Sequence, residues 1–156
     1  ELALRLAESG KAAKEIAEVL EAEKKNIRII AMVDTLEYLK KGGRISSTVA
    51  FAGGLLNIKP VISVKDGEIT MLGKARGSKQ GNNLLRVLVE KSGGIDFSRP
   101  LCLAYSGLSD MMLRKYIEDS EELWQGHDDC LQIATVGCAI GTHAGPGAVV
   151  VAFFKN

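Results

Sequence analysis

The feature that most constrains the fold of this chain is an Asp-Gly dipeptide, Asp66-Gly67, that separates two apolar segments. Asp-Gly favours the two-residue turn in which both central residues adopt positive φ, and that turn joins neighbouring antiparallel strands. The sequence therefore predicts strands over 60–64 and 68–73 joined by a hairpin. A purely parallel sheet is excluded, because parallel neighbours need a long crossover connection.

Hydrophobic periodicity and turn residues predict alternating helices and strands around this hairpin. Helices are expected over 1–9, 12–25, 78–91 and 109–124, and further strands over 27–33, 101–105, 131–136 and 148–154. Asp34 is expected to cap the helix after the first strand, with Glu37 completing a capping box, and that helix ends at Gly42-Gly43. A short helix capped by Ser46 or Ser47 follows. The predicted fold class is α/β (α+β-like), with a mixed, mainly antiparallel sheet of about six strands and helices packed on it.

Length, charge and cysteine content narrow the class of protein. The chain has 156 residues and a net charge of +1, so it can bury a core but lacks the basic excess of most nucleic-acid binders. No run reaches the 18 or so apolar residues of a transmembrane helix. The three cysteines (Cys102, Cys130 and Cys138) are odd in number and form no CxxC pair, which favours reduced thiols in a cytoplasmic protein over a metal site.

The strongest candidate for a functional side chain is His143, within the glycine-rich segment Gly141–Gly147. Glycine and proline at this density allow the backbone to approach another group closely, and an apolar strand follows directly. Histidine can donate and accept hydrogen bonds, which suits a carboxylate or acyl-phosphate oxygen. The alternative is a histidine that only ties down the turn.

Two arginines occupy glycine-flanked positions that are typical of surface loops. Arg76 precedes Gly77 and a predicted helix, where its planar fork can bind a carboxylate or phosphate. Arg44 follows Gly42-Gly43. The alternatives are a solvated charge at Arg76 and, at Arg44, a side chain that caps the preceding helix by binding its last carbonyls.

Several familiar catalytic patterns are absent from the sequence. The glycine-rich segments match neither the GxGxxG nor the GxxxxGK[ST] phosphate-binding motif, and the residue between Gly141 and Gly145 that would be the nucleophilic serine of an elbow is histidine. Two histidines and scattered cysteines give no zinc spacing. Cys138, five residues before His143, is the only arguable nucleophile.

The ordered set of motifs resembles the DegV family of bacterial fatty-acid-binding proteins, over about residues 1–156. The motifs are GGRIS at 42–46, LLNIKP at 55–60, the Arg76-Gly77 pair after the Asp-Gly hairpin, and GTHAGPG at 141–147. The resemblance implies a further N-terminal domain. By that comparison, residues 1–26 are a helical lead-in from the missing domain, and residues 27–156 are the C-terminal α/β domain.

The resemblance also implies a function: a non-catalytic carrier that holds a long-chain fatty acid between two domains and presents its carboxylate to a fatty-acid kinase. It places His143 at the acyl head group, and Arg44 and Arg76 at the head group or the partner-docking surface. No metal or cofactor is needed for this role. Two alternatives stay open: a small acyl-transfer or hydrolytic enzyme that uses His143 as base, and a purely structural domain that regulates a partner.

Overall fold

The six strands form one mixed sheet in a computed structural model, which describes residues 1–45 and 57–156. The spatial order of the strands is β3-β2-β1-β6-β4-β5. Their bounds are Ile27–Met32 (β1), Ile58–Lys65 (β2), Glu68–Arg76 (β3), Cys102–Tyr105 (β4), Ile133–Thr135 (β5) and Val149–Phe154 (β6). The predicted α/β class with a mainly antiparallel sheet is confirmed.

Every neighbouring pair in the sheet is antiparallel except β4 and β5, which run parallel. The hairpin between β2 and β3 is confirmed: Asp66 has φ 52° and Gly67 has φ 81°, the combination that the predicted turn requires. Both strands extend a few residues beyond their predicted ends, and β3 continues as far as Arg76. Arg76 is therefore a strand residue and not, as its sequence context indicates, a loop residue.

Seven α-helices and two short 3-10 helices, Lys24–Asn26 and Asp128–Cys130, are present in the described part of the chain. The α-helices are Leu2–Glu8 (α1), Ala13–Glu23 (α2), Glu37–Lys41 (α3), Ser78–Lys91 (α4), Met111–Asp119 (α5), Glu121–Trp124 (α6) and Cys138–Ala144 (α7). The predicted helix over 109–124 is interrupted at Ser120, and the short helix predicted after Ser46 lies outside the described residues. Within the described ranges, no helix has the length and apolar character needed to cross a bilayer.

Both faces of the sheet are covered, and alternate residues of β1 show how. Ile30 and Met32 belong to the larger core cluster. Ala31 belongs to a smaller cluster on the opposite face, as the period of two in a strand requires. Helices α4, α5 and α6 contribute to the larger cluster, whereas α3 and the end of α7 pack against the smaller one.

One end of the sheet carries a group of charged, polar and glycine residues. The register pairs Met32 at the end of β1 with Val149 at the start of β6. The segments just beyond that level carry Asp34, Lys59, Arg76, Ser106 and the glycine-rich residues 145–147. We call this end of the sheet the site edge.

Candidate functional site

His143 lies in the last turn of α7, with its ring against the backbone of Gly42 at the end of α3. A methyl group placed on Gly42 would lie 2.7 Å from the ring atom Cε1 and closer still to Nδ1. Gly42 has an ordinary helical φ of −77°, so close approach and not backbone conformation requires glycine here. The Nδ1 atom is buried and has no hydrogen-bond partner among the described residues.

A second ring–glycine contact, in the opposite direction, joins the same two helices. The ring of Tyr38, on α3, lies over Gly145, which ends α7. A methyl group on Gly145 would lie 2.7 Å from the ring atom Cε2 and 2.9 Å from Cγ. Each helix thus places one aromatic ring on the glycine that follows the other helix. These reciprocal contacts fix the position of His143 relative to α3.

Ser106, at the end of β4, anchors the glycine-rich segment to the sheet. Its hydroxyl donates to the carbonyl oxygen of Gly145 and accepts from the backbone N–H of Ala148 at 2.9 Å. Its carbonyl accepts from the N–H of Gly147 at 2.9 Å. Ser106 is only 3% exposed, and buried hydrogen bonds of this kind are costly to lose. The turn after His143 is therefore held in a single position.

Arg44 is exposed, and its guanidinium donates to the carbonyl of Gly42 at 3.0 Å. Its backbone N–H donates to the carbonyl of Leu39 at 2.8 Å, and the backbone N–H of Gly43 (φ 69°) donates to the carbonyl of Lys40 at 3.0 Å. This bonding pattern is the Schellman ending of a helix. The contacts of Arg44 in the structure are therefore those of the capping alternative, in which the side chain binds the last carbonyls of the preceding helix. Arg44 and His143 also meet at the same residue, Gly42.

Arg76 lies elsewhere along the site edge. It is the last residue of β3, opposite Ile58 in the register, and is exposed. Gly77 follows with φ 81° and precedes the first turn of α4. Three strand spacings separate β3 from β6, which is about 14 Å. The structure therefore groups Arg44 with His143 but does not bring Arg76 to them.

Sequence reasoning missed an ion pair at the site edge. Lys59 is 9% exposed, and its ammonium donates to the carboxylate of Asp34, which remains about half exposed. The prediction that Asp34 caps α3 is wrong: the N-cap is Leu36, with no side-chain cap bond. The carboxylate pairs with the buried amine because an unpaired buried charge is much more costly than an uncapped helix end.

The geometry of the thiols does not favour a nucleophile–base pair. Cys138 is exposed at the start of α7, and five helical steps turn it about 140° away from His143 around the helix axis. Cys102 lies at the opposite end of the sheet, where burial raises the pKa of its thiol. Within residues 1–45 and 57–156, no cluster of three or more His, Cys, Asp or Glu side chains suits a metal ion.

The fold and site edge define an α/β domain that presents a half-buried histidine and two exposed arginines. The whole chain, residues 1–156, matches the model of the family described as "Uncharacterised protein, DegV family". The chain belongs to the DegV family. A DegV domain-containing protein of Caldanaerobacter subterraneus subsp. tengcongensis is 34% identical over 97% of this chain and 53% of its own length. The chain spans about half the length of the curated relatives that it matches.

Solved structures share the fold. The fatty-acid-binding DegV family protein of Streptococcus agalactiae is 27% identical with a TM-score of 0.80, over 99% of this chain and 54% of that protein. The Streptococcus pneumoniae fatty acid kinase (Fak) B3 protein, loaded with linoleic acid, is 21% identical with a TM-score of 0.82. That match covers 97% of this chain and 53% of the B3 protein, and at this identity it shows a likeness of fold.

The contact between His143 and Gly42 predicts a specific effect of Gly42→Ala. Alanine fits the backbone at φ −77°, but its methyl group would collide with the imidazole. We expect the side-chain NMR resonances of His143 to shift, while those of His127, the other of the two histidines, stay in place. The control is Gly43→Ala, which has no atom within 4 Å of the added methyl. It should cost about 1 kcal/mol through its positive φ and leave His143 unchanged. Unshifted His143 resonances in Gly42→Ala would contradict the described contact.

The Asp34–Lys59 pair predicts unequal costs for its two partners. Asp34→Ala leaves a buried amine without its carboxylate and should lower the free energy of unfolding by about 1–3 kcal/mol. Lys59→Met keeps the apolar stem packed and leaves Asp34 half in solvent, so its cost should be below about 1 kcal/mol. Urea unfolding of both variants and of the double variant measures the difference. If Lys59→Met costs more than Asp34→Ala, the expected asymmetry between the buried amine and the half-exposed carboxylate is wrong.

Proposed function

We propose that this chain forms the head-group end of a fatty-acid carrier, in which His143 binds the carboxylate of a long-chain fatty acid. The observation that carries the proposal is the position of His143, held against Gly42 at a glycine-lined sheet edge of a DegV-family chain. The similar S. agalactiae protein is a fatty-acid-binding DegV family protein. The B3 protein of S. pneumoniae was solved with linoleic acid.

The chemistry of the site edge suits a carboxylate. Nδ1 of His143 is buried against Gly42, so Nε2 is the ring nitrogen that a ligand reaches. A protonated Nε2 donates to a carboxylate oxygen whether the imidazole is neutral or charged. Arg44 adds an exposed cation on the same glycine. One oriented hydrogen bond to a charged group is worth about 1.5–3 kcal/mol.

The acyl chain itself supplies most of the binding free energy. Burial of each CH₂ group contributes roughly 0.8 kcal/mol, so a C16 chain contributes more than about 10 kcal/mol before ordering costs are subtracted. An apolar cavity with a few polar groups at its mouth is therefore sufficient, without a metal or cofactor. From sequence, six residues could line such a cavity or simply belong to the core, and core is the default expectation: Val49, Phe51, Leu55, Leu56, Ile58 and Val61. The first four lie outside the described residues, and Val61 belongs to the core.

We propose further that a second domain completes the lipid site, with residues 1–26 leading into the α/β domain of residues 27–156. The relatives are about twice as long as this chain, which supports a second domain. Three exposed apolar side chains also lie on segments that leave the site edge: Leu108, Met111 and Ile140. A second domain that packed on these segments would cover these side chains.

In this proposal the carrier is not an enzyme and works in the cytoplasm. It positions the acyl carboxylate, and a fatty-acid kinase supplies the phosphoryl transfer; the link of the B3 protein to a fatty acid kinase supports this partner. Cys130 and Cys138 are exposed free thiols, which persist in a reducing compartment. The angular separation of Cys138 from His143 disfavours the alternative of an acyl-transfer or hydrolytic enzyme.

The lipid and the role of His143 can be tested together on the full-length protein purified from bacteria. We expect mass spectrometry of the extracted protein to reveal a long-chain fatty acid, and the 156-residue chain alone to retain little. His143→Ala should weaken palmitate binding by roughly ten- to a hundredfold with little change in melting temperature. His127→Ala is the matched control. Absence of lipid from the full-length protein, or equal binding by both variants, would overturn the proposal.

The two arginines should act on phosphoryl transfer more than on lipid retention. Arg44→Ala and Arg76→Ala remove exposed cations, whereas retention depends mainly on apolar burial of the acyl chain. We expect bound lipid to stay near the wild-type amount while kinase-dependent turnover falls. Arg28→Ala, at the opposite end of the sheet, controls for loss of one positive charge. Full turnover in both variants would leave these arginines as solvated or capping charges.

A further inference from the structure

Tyr38 occupies an unusual position in α3. Two other apolar residues of this region, Leu36 and Leu39, are buried and belong to the core cluster on that face of the sheet. Tyr38 does not belong to that cluster and is 39% exposed. Its ring nevertheless lies so close to Gly145 that any side chain there would overlap it. The ring therefore contributes to the contact with α7 more than to the core.

This contact acts on the helical turn that contains His143. Helices of five and seven residues, as α3 and α7 are, have little stability of their own, so tertiary contacts set their positions. The backbone N–H of Gly145 binds the carbonyl of Gly141 at 2.8 Å, which closes the turn of α7 that contains His143. A ring that holds Gly145 thus holds this turn, and with it the direction of the imidazole.

The closeness of His143 to Gly42 makes its orientation sensitive to small movements. Its ring atoms pack directly on the Gly42 backbone, and its Nδ1 has no hydrogen-bond partner in the described part of the chain to fix it. Among residues 1–45 and 57–156, the contact that orients the ring is its packing on Gly42. A small misplacement of a binding group can sharply reduce the interaction that it makes, because oriented hydrogen bonds weaken steeply with angle.

We propose that Tyr38 is a positioning residue for the acyl head group: its ring, seated on Gly145, sets the orientation in which His143 meets the carboxylate. The inference rests on the proposed function of His143 and adds a residue that acts through it. The phenol hydroxyl is not required, because the contact is made by the ring. Phenylalanine should consequently replace tyrosine, whereas a small or non-planar side chain should not.

The test uses the full-length protein with three substitutions, Tyr38→Ala, Tyr38→Leu and Tyr38→Phe. Leu72→Ala is the matched control, since Leu72 is also 39% exposed but lies on β3. Binding is measured for palmitate and for hexadecanol, which has the same chain length but no carboxylate. The side-chain nitrogen resonances of His143 report its orientation directly, and His127, stacked on Phe97 with ring centroids 3.8 Å apart, is the internal reference.

We expect Tyr38→Ala and Tyr38→Leu to weaken palmitate binding by about tenfold, the lower end of the loss for one charged hydrogen bond. Hexadecanol binding should be unchanged, the His143 resonances should shift, and those of His127 should not. Tyr38→Phe should bind palmitate as the wild type does. The proposal would be overturned if Tyr38→Ala left both the His143 resonances and the palmitate affinity unchanged. It would also be overturned if palmitate and hexadecanol lost affinity equally and the resonances of both histidines shifted.

Failure of the proposed function would look different. If His143→Ala binds palmitate as tightly as the wild type, His143 is not a head-group ligand. The His143 resonances of the Tyr38 variants would still show whether Tyr38 orients that ring. If Tyr38→Ala does not fold, Tyr38→Leu retains apolar volume at the contact and gives the same two measurements.

Discussion

The sheet depends on the pairing of its last strand. β6 lies between β1 and β4, so without it the sheet would separate into β1-β2-β3 on one side and β4-β5 on the other. Val149 and Val151 of β6 are fully buried, and the strand follows directly from the glycine-rich segment that carries His143. The same stretch of sequence therefore closes the fold and forms the candidate site, and the hydrogen bonds of Ser106 tie the two together.

Local sequence signals correctly predicted those elements whose conformation depends mainly on residues close together in the chain. The hairpin at Asp66-Gly67 requires two positive φ values that these residues tolerate, and both are present. The prediction that α4 covers 78–91 also matches, because its apolar face and flanking glycines lie within one segment. Asp34 was predicted wrongly for the converse reason. Its carboxylate pairs with Lys59, 25 residues away, and no local pattern shows that competing partner.

The candidate site likewise combines a residue that stands out in the sequence with contacts that the sequence does not show. His143 stands out in sequence because it is a lone titratable ring among glycines. The contacts that position it are tertiary: Tyr38 and Gly42 lie about a hundred residues before it in the chain. Gly42-Gly43 is read from sequence as a helix end, which is correct for Gly43 (φ 69°). That reading leaves Gly42 unexplained, since its φ is ordinary. A second glycine where one suffices is the signal that indicates close approach.

The positions of Arg44 and Arg76 determine which of them can act together with His143. Arg76 ends β3, three strand spacings or roughly 14 Å from β6, whereas His143 lies on α7, which leads into β6. Arg44, in contrast, donates to Gly42, on which the His143 ring rests. A movement of the His143 ring would therefore reach Arg44 through one residue, Gly42. Arg44 and Arg76 therefore lie on different parts of the site edge, and Arg44 is the one whose contacts lead through Gly42 to His143.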